Sequence, residues 1–199
     1  MKTFSFAKLA LNTFTPLALW AAMAPAIALD LGGVTHPRVL QTGATSLQLN
    51  GAGVRQHSGS GLYTAGLYLD QKLATPDSVL GNPGAKQLRV VMLKDISASD
   101  MGDLLARGMQ ASASDAQLAT LIPALFRLGE ILGEQKKLAA GDSFQIAWQP
   151  GQGTVISING KQQGEAFPQP ALFEALLGMW VGPKPADEQL KSALLGRAI

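Results

Sequence analysis

The stretch that decides the fold is residues 49–69, LNGAGVRQHSGSGLYTAGLYL, which predicts two adjacent strands. The first strand carries Arg55, and the second carries Tyr63 and Tyr68 among apolar residues. An arginine and a tyrosine on neighbouring apolar strands can form a small polar spot inside an apolar cleft, which suits a ligand with a hydrocarbon body and one acidic or carbonyl end. A bulged, twisted pair with a flexible connection is indicated by four glycines: Gly51, Gly53, Gly59 and Gly61.

The rest of the chain predicts strands and helices in alternating groups. Alternating or continuous apolar residues predict strands at 38–41, 47–55, 62–69, 88–93, 144–148 and 155–158. Capping patterns and prolines predict helices that begin after Ser97 and Ser114 and near Pro170 and Pro185, and a short turn or helix that begins at Thr75. Lys136 and Lys137 are expected in the last turn of the helix that follows Ser114, where a cation is favourable. This order predicts an α+β fold with an antiparallel sheet and helices on one face.

Residues 1–28 are predicted to be a secretory signal peptide. Lys2 and Lys8 give a basic start, residues 9–24 are mostly apolar, and Ala26-Ile27-Ala28 supplies the small residues of a cleavage site. The alternative is an uncleaved anchor helix, but the apolar stretch is short for a membrane span. We therefore expect a mature domain of residues 29–199 that is periplasmic or secreted and has no membrane-spanning segment.

Composition excludes several classes of function. Of 16 Lys and Arg residues, Lys2 and Lys8 lie in the predicted leader, which contains no acid, so the remaining chain balances its 14 Asp and Glu residues. A basic surface for nucleic acid is therefore not expected. The chain has no cysteine, which excludes disulfides, zinc-thiolate sites and thiol chemistry. Its length fits a single domain, and we expect a monomer without a cofactor.

The histidines and acids give no catalytic or metal-binding pattern. His36 and His57 are predicted to be solvated loop residues rather than a catalytic pair, and no nucleophile elbow surrounds a serine. The acids near predicted helix starts are interpreted as caps and dipole partners rather than metal ligands. These acids are Asp95, Asp100, Asp103 and the pair Asp187-Glu188.

Three segments together resemble the exported bacterial branch of the chalcone isomerase-like family: residues 47–69, 88–109 and 171–196. The last segment is the most specific, because it carries the pattern W-x-G-x-x-P-A-D-x-x-L-K-x-x-L-L-G. The resemblance covers nearly all of the predicted mature domain. It implies the open-faced β-sandwich of the chalcone isomerase type, in which a layer of helices covers a large antiparallel sheet.

The resemblance also locates the residues that act in plant chalcone isomerases. There an arginine, assisted by a threonine and a tyrosine, holds the phenolate that develops as a flavanone ring closes. The arginine matches Arg55, but the threonine falls on Tyr63, the tyrosine near Ala98 and an active-site lysine near Met101. A Thr-Met pair of the plant pocket falls on Met179-Trp180. Only the arginine matches, so the cyclisation machinery is not recognisable.

The pair Arg55 and Tyr63 is instead similar to the non-catalytic fatty-acid-binding relatives, in which an arginine and a tyrosine face the carboxylate. The leading hypothesis is thus a binder of a small apolar acid such as a fatty acid. The predicted ligand-binding residues are Arg55, Tyr63, Tyr68, Met179 and Trp180. One alternative is an isomerase or intramolecular lyase on an aromatic or enone substrate, in which Arg55 stabilises an oxyanion. Another is a structural or partner-binding role, with side chains filling the cleft.

Overall fold

A computed structural model describes residues 28–57 and 59–197, so the predicted signal peptide lies outside the described residues except for Ala28. The main element is a seven-stranded sheet in which every neighbouring pair is antiparallel, in the order β11-β10-β9-β6-β5-β4-β3. Its strands are β3 (Val39–Thr42), β4 (Thr45–His57), β5 (Ser60–Leu69), β6 (Lys86–Met92), β9 (Ser143–Gln149), β10 (Gly153–Ile158) and β11 (Lys161–Gln162). Two small antiparallel pairs flank it: β1 (Leu29–Leu31) with β2 (Val34–His36), and β7 (Ile96–Ser97) with β8 (Lys137–Leu138).

Five helices occur in residues 28–57 and 59–197: α1 (Pro76–Gly81), α2 (Ala98–Ser112), α3 (Asp115–Gly133), α4 (Pro170–Val181) and α5 (Glu188–Leu194). The predicted caps are confirmed, because Ser97 caps α2 and Ser114 forms a capping box with Gln117 at the start of α3. The expectation for Lys136 and Lys137 is wrong: α3 ends at Gly133, and Lys137 belongs to β8. The chain turns there into a strand pair, so these lysines lie beyond the helix terminus.

All five helices contribute to one core on a single face of the sheet, as predicted. Helix α4 is apolar apart from the exposed Glu174 and is mostly buried, which is typical of a helix at the centre of a core. It is covered by the sheet below and by α2 and α3 beside it. The core takes residues 63, 65, 67 and 69 from β5, which point to the same face because side chains alternate along a strand. The predicted α+β architecture is therefore confirmed.

The other face of the sheet carries a second, smaller apolar cluster, and His36 lies buried on this side. His36 is fully buried, and its Nε2 lies 3.0 Å from the hydroxyl oxygen of Thr64 on β5. The prediction that His36 is a solvated loop residue is therefore wrong, because the β1–β2 hairpin brings it onto the sheet. His57, by contrast, is exposed at the end of β4, as predicted.

Helix α5 packs directly on β4 because β4 has no side chain at two positions. A Cβ atom added at Gly51 would overlap the carbonyl oxygen of Ala193, and one at Gly53 would lie 2.8 Å from the Cβ of Ala193. The predicted bulge is present between Leu49 and Gly51. This close approach places Leu190 and the last turn of α5 directly on β4.

Helix α3 is, by length and composition alone, apolar enough to cross a membrane. The expectation of no membrane-spanning segment after the leader stays a prediction, because length and composition alone do not show a span. Leu121, Leu128 and Ile131 of α3 pack into the core, and a core helix meets the same criterion of length and composition. Ile122 and Phe126 are exposed, Phe126 by 74%.

Candidate functional site

A narrow cavity lies between the sheet and helices α2 and α4. Its volume is about 50 Å³, or about 490 Å³ when all the space around it, including the open mouth, is counted. Most of its wall is apolar and comes from β6, β9, α2 and α4. The polar atoms at the wall belong to Arg55, Tyr63 and Trp180, and two methionines, Met101 and Met179, complete it. The cavity is thus an apolar space with a polar end.

Arg55 and Tyr63 meet at this end because they are register partners on β4 and β5. Directly opposed residues of an antiparallel pair have their Cβ atoms about 4.5–5.5 Å apart and point to the same face. Tyr63 is only 7% exposed. The predicted pairing of an arginine and a tyrosine inside an apolar cleft therefore has a simple structural basis in the hairpin of residues 49–69.

Trp180 completes the polar end from the helical side. Its indole N–H donates a hydrogen bond to the hydroxyl oxygen of Tyr63 over 2.9 Å. Burial raises the pKa of Tyr63 above its ordinary value of 10.0, so this phenol is neutral and keeps its hydrogen. Within the described part of the chain, that O–H donates to no acceptor. It remains available to an acceptor in the cavity.

Arg55 is paired with Asp187, the residue that caps α5. The guanidinium Nη1 lies 3.2 Å from a carboxylate oxygen of Asp187, and the two side chains are only 19% and 12% exposed. Burial raises the pKa of Asp187, but the backbone N–H groups of Leu190 and Gln56 and the Arg55 guanidinium outweigh it, so the pKa lies below the usual 3.8. Asp187 is therefore an ionised counterion of Arg55.

Sequence reasoning found only half of the role of Asp187. Its interpretation as a helix cap is confirmed, because its side chain accepts a hydrogen bond from the backbone N–H of Leu190. The ion pair with Arg55 was missed. No local pattern identifies the strand that a capping acid will face, since that depends on how the helix docks.

The structure brings four of the five predicted site residues to the cavity and leaves one out. Arg55, Tyr63, Met179 and Trp180 line it. Tyr68 does not: it is fully buried in the smaller cluster on the opposite face of the sheet. The prediction that Tyr68 belongs to the site is wrong. Tyr63 and Tyr68 are five positions apart on β5, and residues an odd number of positions apart on a strand point to opposite faces.

Of the two positions where the resemblance placed family active-site residues on α2, Met101 lines the wall, while Ala98 is not part of the lining. In the part of the chain that the structure describes, no three His, Asp or Glu side chains group as metal ligands would. The side-chain nitrogen and oxygen atoms of the lining residues belong to Arg55, Tyr63 and Trp180, and each of these groups carries an N–H or O–H donor.

The chain belongs to the family described as "Chalcone isomerase-like", whose sequence model matches residues 28–196. Among solved structures it is similar to that of the Arabidopsis thaliana fatty-acid binding protein AtFAP1, with a TM-score of 0.63 and 14% sequence identity. That alignment covers 85% of this chain and 96% of the other. At such low identity the likeness shows a shared fold. The search of curated proteins gave no match.

Proposed function

We propose that this protein binds a small apolar acid of the fatty-acid class in the cavity between the sheet and helices α2 and α4, and that it does so without catalysis. The single observation that carries this proposal is the set of donors at the polar end. The Tyr63 O–H is unused by the described residues, and Trp180 holds its oxygen in place. A guanidinium has five N–H donors, and the ion pair with Asp187 engages Nη1.

These donors define the ligand by complementarity. A buried site that offers N–H and O–H groups is satisfied by a ligand oxygen that accepts, such as that of a carboxyl or carbonyl group. The remaining wall is apolar and suits a hydrocarbon body. The likeness to a plant fatty-acid binding protein supports the same class of ligand.

The size of the cavity limits the ligand unless the wall moves. A space of about 50 Å³ holds a few water molecules or a short hydrocarbon segment. Met101 and Met179 form part of the wall, and methionine adapts its shape more readily than branched side chains. A longer ligand therefore requires these side chains to change rotamer.

The same narrowness favours a second candidate function. Tyr63 and Trp180 fill the place that smaller residues leave open in the plant enzymes to which the sequence is similar. A domain whose cleft is filled in this way could serve as a structural or partner-binding protein. The two candidates differ in one measurable property, which is occupancy of the cavity.

Native mass spectrometry of the protein purified from its own source tests occupancy, and calorimetric titration of delipidated protein with octanoic acid and with methyl octanoate tests binding. We expect a co-purifying lipid mass and binding of at least one of the two ligands. The matched variants are Tyr63→Phe, which removes the free donor, and Phe126→Tyr, a change on exposed α3 far from the cavity lining. An empty protein that binds neither ligand would promote the structural role.

We also propose that the domain is exported. The support is the pattern of residues 1–28, with Lys2 and Lys8 before an apolar stretch and Ala26-Ile27-Ala28 at its end. N-terminal sequencing of the protein recovered outside the cytoplasm should begin at Leu29. Recovery of intact Met1 in a membrane pellet would contradict cleavage.

A further inference from the structure

The positive charge at the polar end of the cavity has a negative counterion beside it, outside the lining. Arg55 is the charged residue in the lining, and its guanidinium is already compensated by Asp187 at 3.2 Å. A free arginine would attract a carboxylate strongly. Here a ligand carboxylate would bring a second negative charge to a guanidinium that already has its counterion.

Asp187 is also held too firmly to leave when a ligand arrives. One of its oxygens accepts from the backbone N–H of Leu190 at 3.0 Å, and the other accepts from the backbone N–H of Gln56 at 3.3 Å. The close packing of Leu190 and Ala193 on Gly51 and Gly53 holds α5 against β4. These contacts hold the carboxylate beside Arg55, next to the polar end of the cavity.

Electrostatics then separates two kinds of head group. Like charges within about 4–6 Å of each other disfavour the ionised state, and the apolar wall strengthens this effect because it excludes water. A neutral carbonyl oxygen can accept from Tyr63 and from a free N–H of Arg55 without adding charge. The pair therefore favours an uncharged acceptor over a carboxylate.

We propose that Asp187 is the residue that sets the head-group preference of this cavity, so that the ligand is held as a neutral acceptor: an ester, a ketone, an aldehyde or the protonated form of an acid. This inference rests on the proposed function, because it assumes that an apolar ligand places its polar end at Arg55 and Tyr63. It adds the charge state in which that ligand is bound.

The decisive variant is Asp187→Asn. Asparagine is as good a helix N-cap as aspartate, so α5 keeps its cap while the negative charge is removed. Glu188→Gln is the matched control, because it removes the neighbouring charge from a side chain that is 70% exposed and pairs with Lys191 rather than with Arg55. Should the asparagine variant fail to fold, Asp187→Ser offers another uncharged cap.

Calorimetric titration at pH 7.5 with octanoate and with methyl octanoate gives the readout. We expect the wild-type protein to bind the ester at least tenfold more tightly than the carboxylate. Asp187→Asn should raise the affinity for octanoate about tenfold or more and change the affinity for the ester less than threefold. Glu188→Gln should change neither.

The remaining outcomes separate the inference from the function beneath it. If the wild-type protein prefers octanoate, or if Asp187→Asn leaves the affinity for octanoate within twofold, the inference fails while the cavity stands as a binding site. An equal gain in Glu188→Gln also overturns the inference, since it would show a general effect of surface charge. If no variant binds either ligand, the proposed function fails and this inference fails with it.

Discussion

The indole N–H of Trp180 donates to the hydroxyl oxygen of Tyr63, which joins the C-terminal part of α4 to β5 over 2.9 Å. Both side chains are buried, with exposures of 6% and 7%. A buried donor and a buried acceptor that bond to each other cost little folding free energy, but either group buried without a partner is strongly destabilising. The contact thus fixes the register of an apolar helix on the sheet and orients the donor that faces the cavity.

Removing one partner of this pair should destabilise the fold. Tyr63→Phe leaves the Trp180 N–H without an acceptor, which costs about 1–3 kcal/mol of unfolding free energy. We expect Trp180→Phe to destabilise as well, and the double variant to lose less than the sum of the two single losses. Urea unfolding of the four proteins measures this coupling. Strictly additive losses would mean that the bond contributes nothing of its own.

Arg55 should matter for both stability and binding. From the sequence, Arg55→Ala is expected to change stability little, but the ion pair changes this: the variant leaves Asp187, 12% exposed, without its counterion. We expect a loss of about 1–3 kcal/mol, partly restored when Asp187→Asn is added. Affinity for the ligand should fall about 10- to 150-fold, with partial rescue in Arg55→Lys.

Unfolding curves and calorimetric titration measure the two effects of Arg55→Ala separately. Glu188→Gln is the control, since it removes the 70% exposed partner of the ion pair with Lys191 and pairs with an exposed partner contribute about 0–1 kcal/mol. An Arg55→Ala protein with wild-type stability and wild-type affinity would leave Arg55 as an ordinary strand residue.

Chalcone cyclisation should not proceed faster than the uncatalysed reaction. Arg55 remains, but the matched threonine and lysine positions carry Tyr63 and Met101, and Ala98 stands near the matched tyrosine. One oxyanion donor without these positioning groups provides only part of a typical rate enhancement. Flavanone formation followed by absorbance measures this. Turnover well above background that is lost in Arg55→Ala would instead support an isomerase.

The placement of Arg55 and Tyr63 on adjacent strands could be predicted from the sequence, and alternation along β5 sets the face of Tyr63. Their exact pairing could not be predicted, because the register shifts between Arg55 and Gln56. The same alternation excludes Tyr68, so that error was avoidable. Asp187 and Trp180 are different. Their partners lie on strands more than a hundred residues earlier, and only the docking of α4 and α5 brings them together. A cap pattern or an apolar helix predicts the element but not its contacts.

The burial of His36 was equally beyond local sequence reasoning. A histidine before a proline in a short segment is typical of a loop. The β1–β2 hairpin can pack on the face of the main sheet only where a residue of the sheet has no side chain. Gly66 provides that place, since a Cβ there would lie 2.6 Å from Nδ1 of His36. The burial of His36 therefore depends on a fit with Gly66, which lies thirty positions later in the chain.

His36 should make the fold sensitive to acid. Burial first, and then the charge of Arg89, lowers the pKa of His36 from 6.5 to about 4. Because the folded state favours the neutral ring, its contribution to stability is present above pH 6.5 and is lost as the pH falls from 6.5 towards 4. The slope of unfolding free energy against pH in this window should be shallower in His36→Gln. His57→Gln, at an exposed position, should keep the wild-type slope.

The last prediction concerns Gly51, which lets α5 approach β4. In Gly51→Ala the new methyl group would overlap the carbonyl oxygen of Ala193 and lie 2.8 Å from that of Leu194. Both are backbone atoms of the helix segment, so α5 must move as a whole, and we expect a loss of about 2–3 kcal/mol or more. The shift would also move Asp187 away from Arg55, so the preference for ester over carboxylate should weaken.

Gly129→Ala is the matched control for Gly51→Ala. Gly129 lies inside α3, is exposed, and a Cβ there would meet nothing within 4 Å. Alanine should therefore stabilise the protein by about 0.5–1 kcal/mol, because it lowers the entropy lost on forming the helix. Urea unfolding measures the change in unfolding free energy of both variants. If α5 packs on β4 as closely as the structure shows, this change is a loss for Gly51→Ala and a gain for Gly129→Ala. A Gly51→Ala protein as stable as the wild type would mean that α5 can sit farther from β4, and that Asp187 is not fixed beside Arg55.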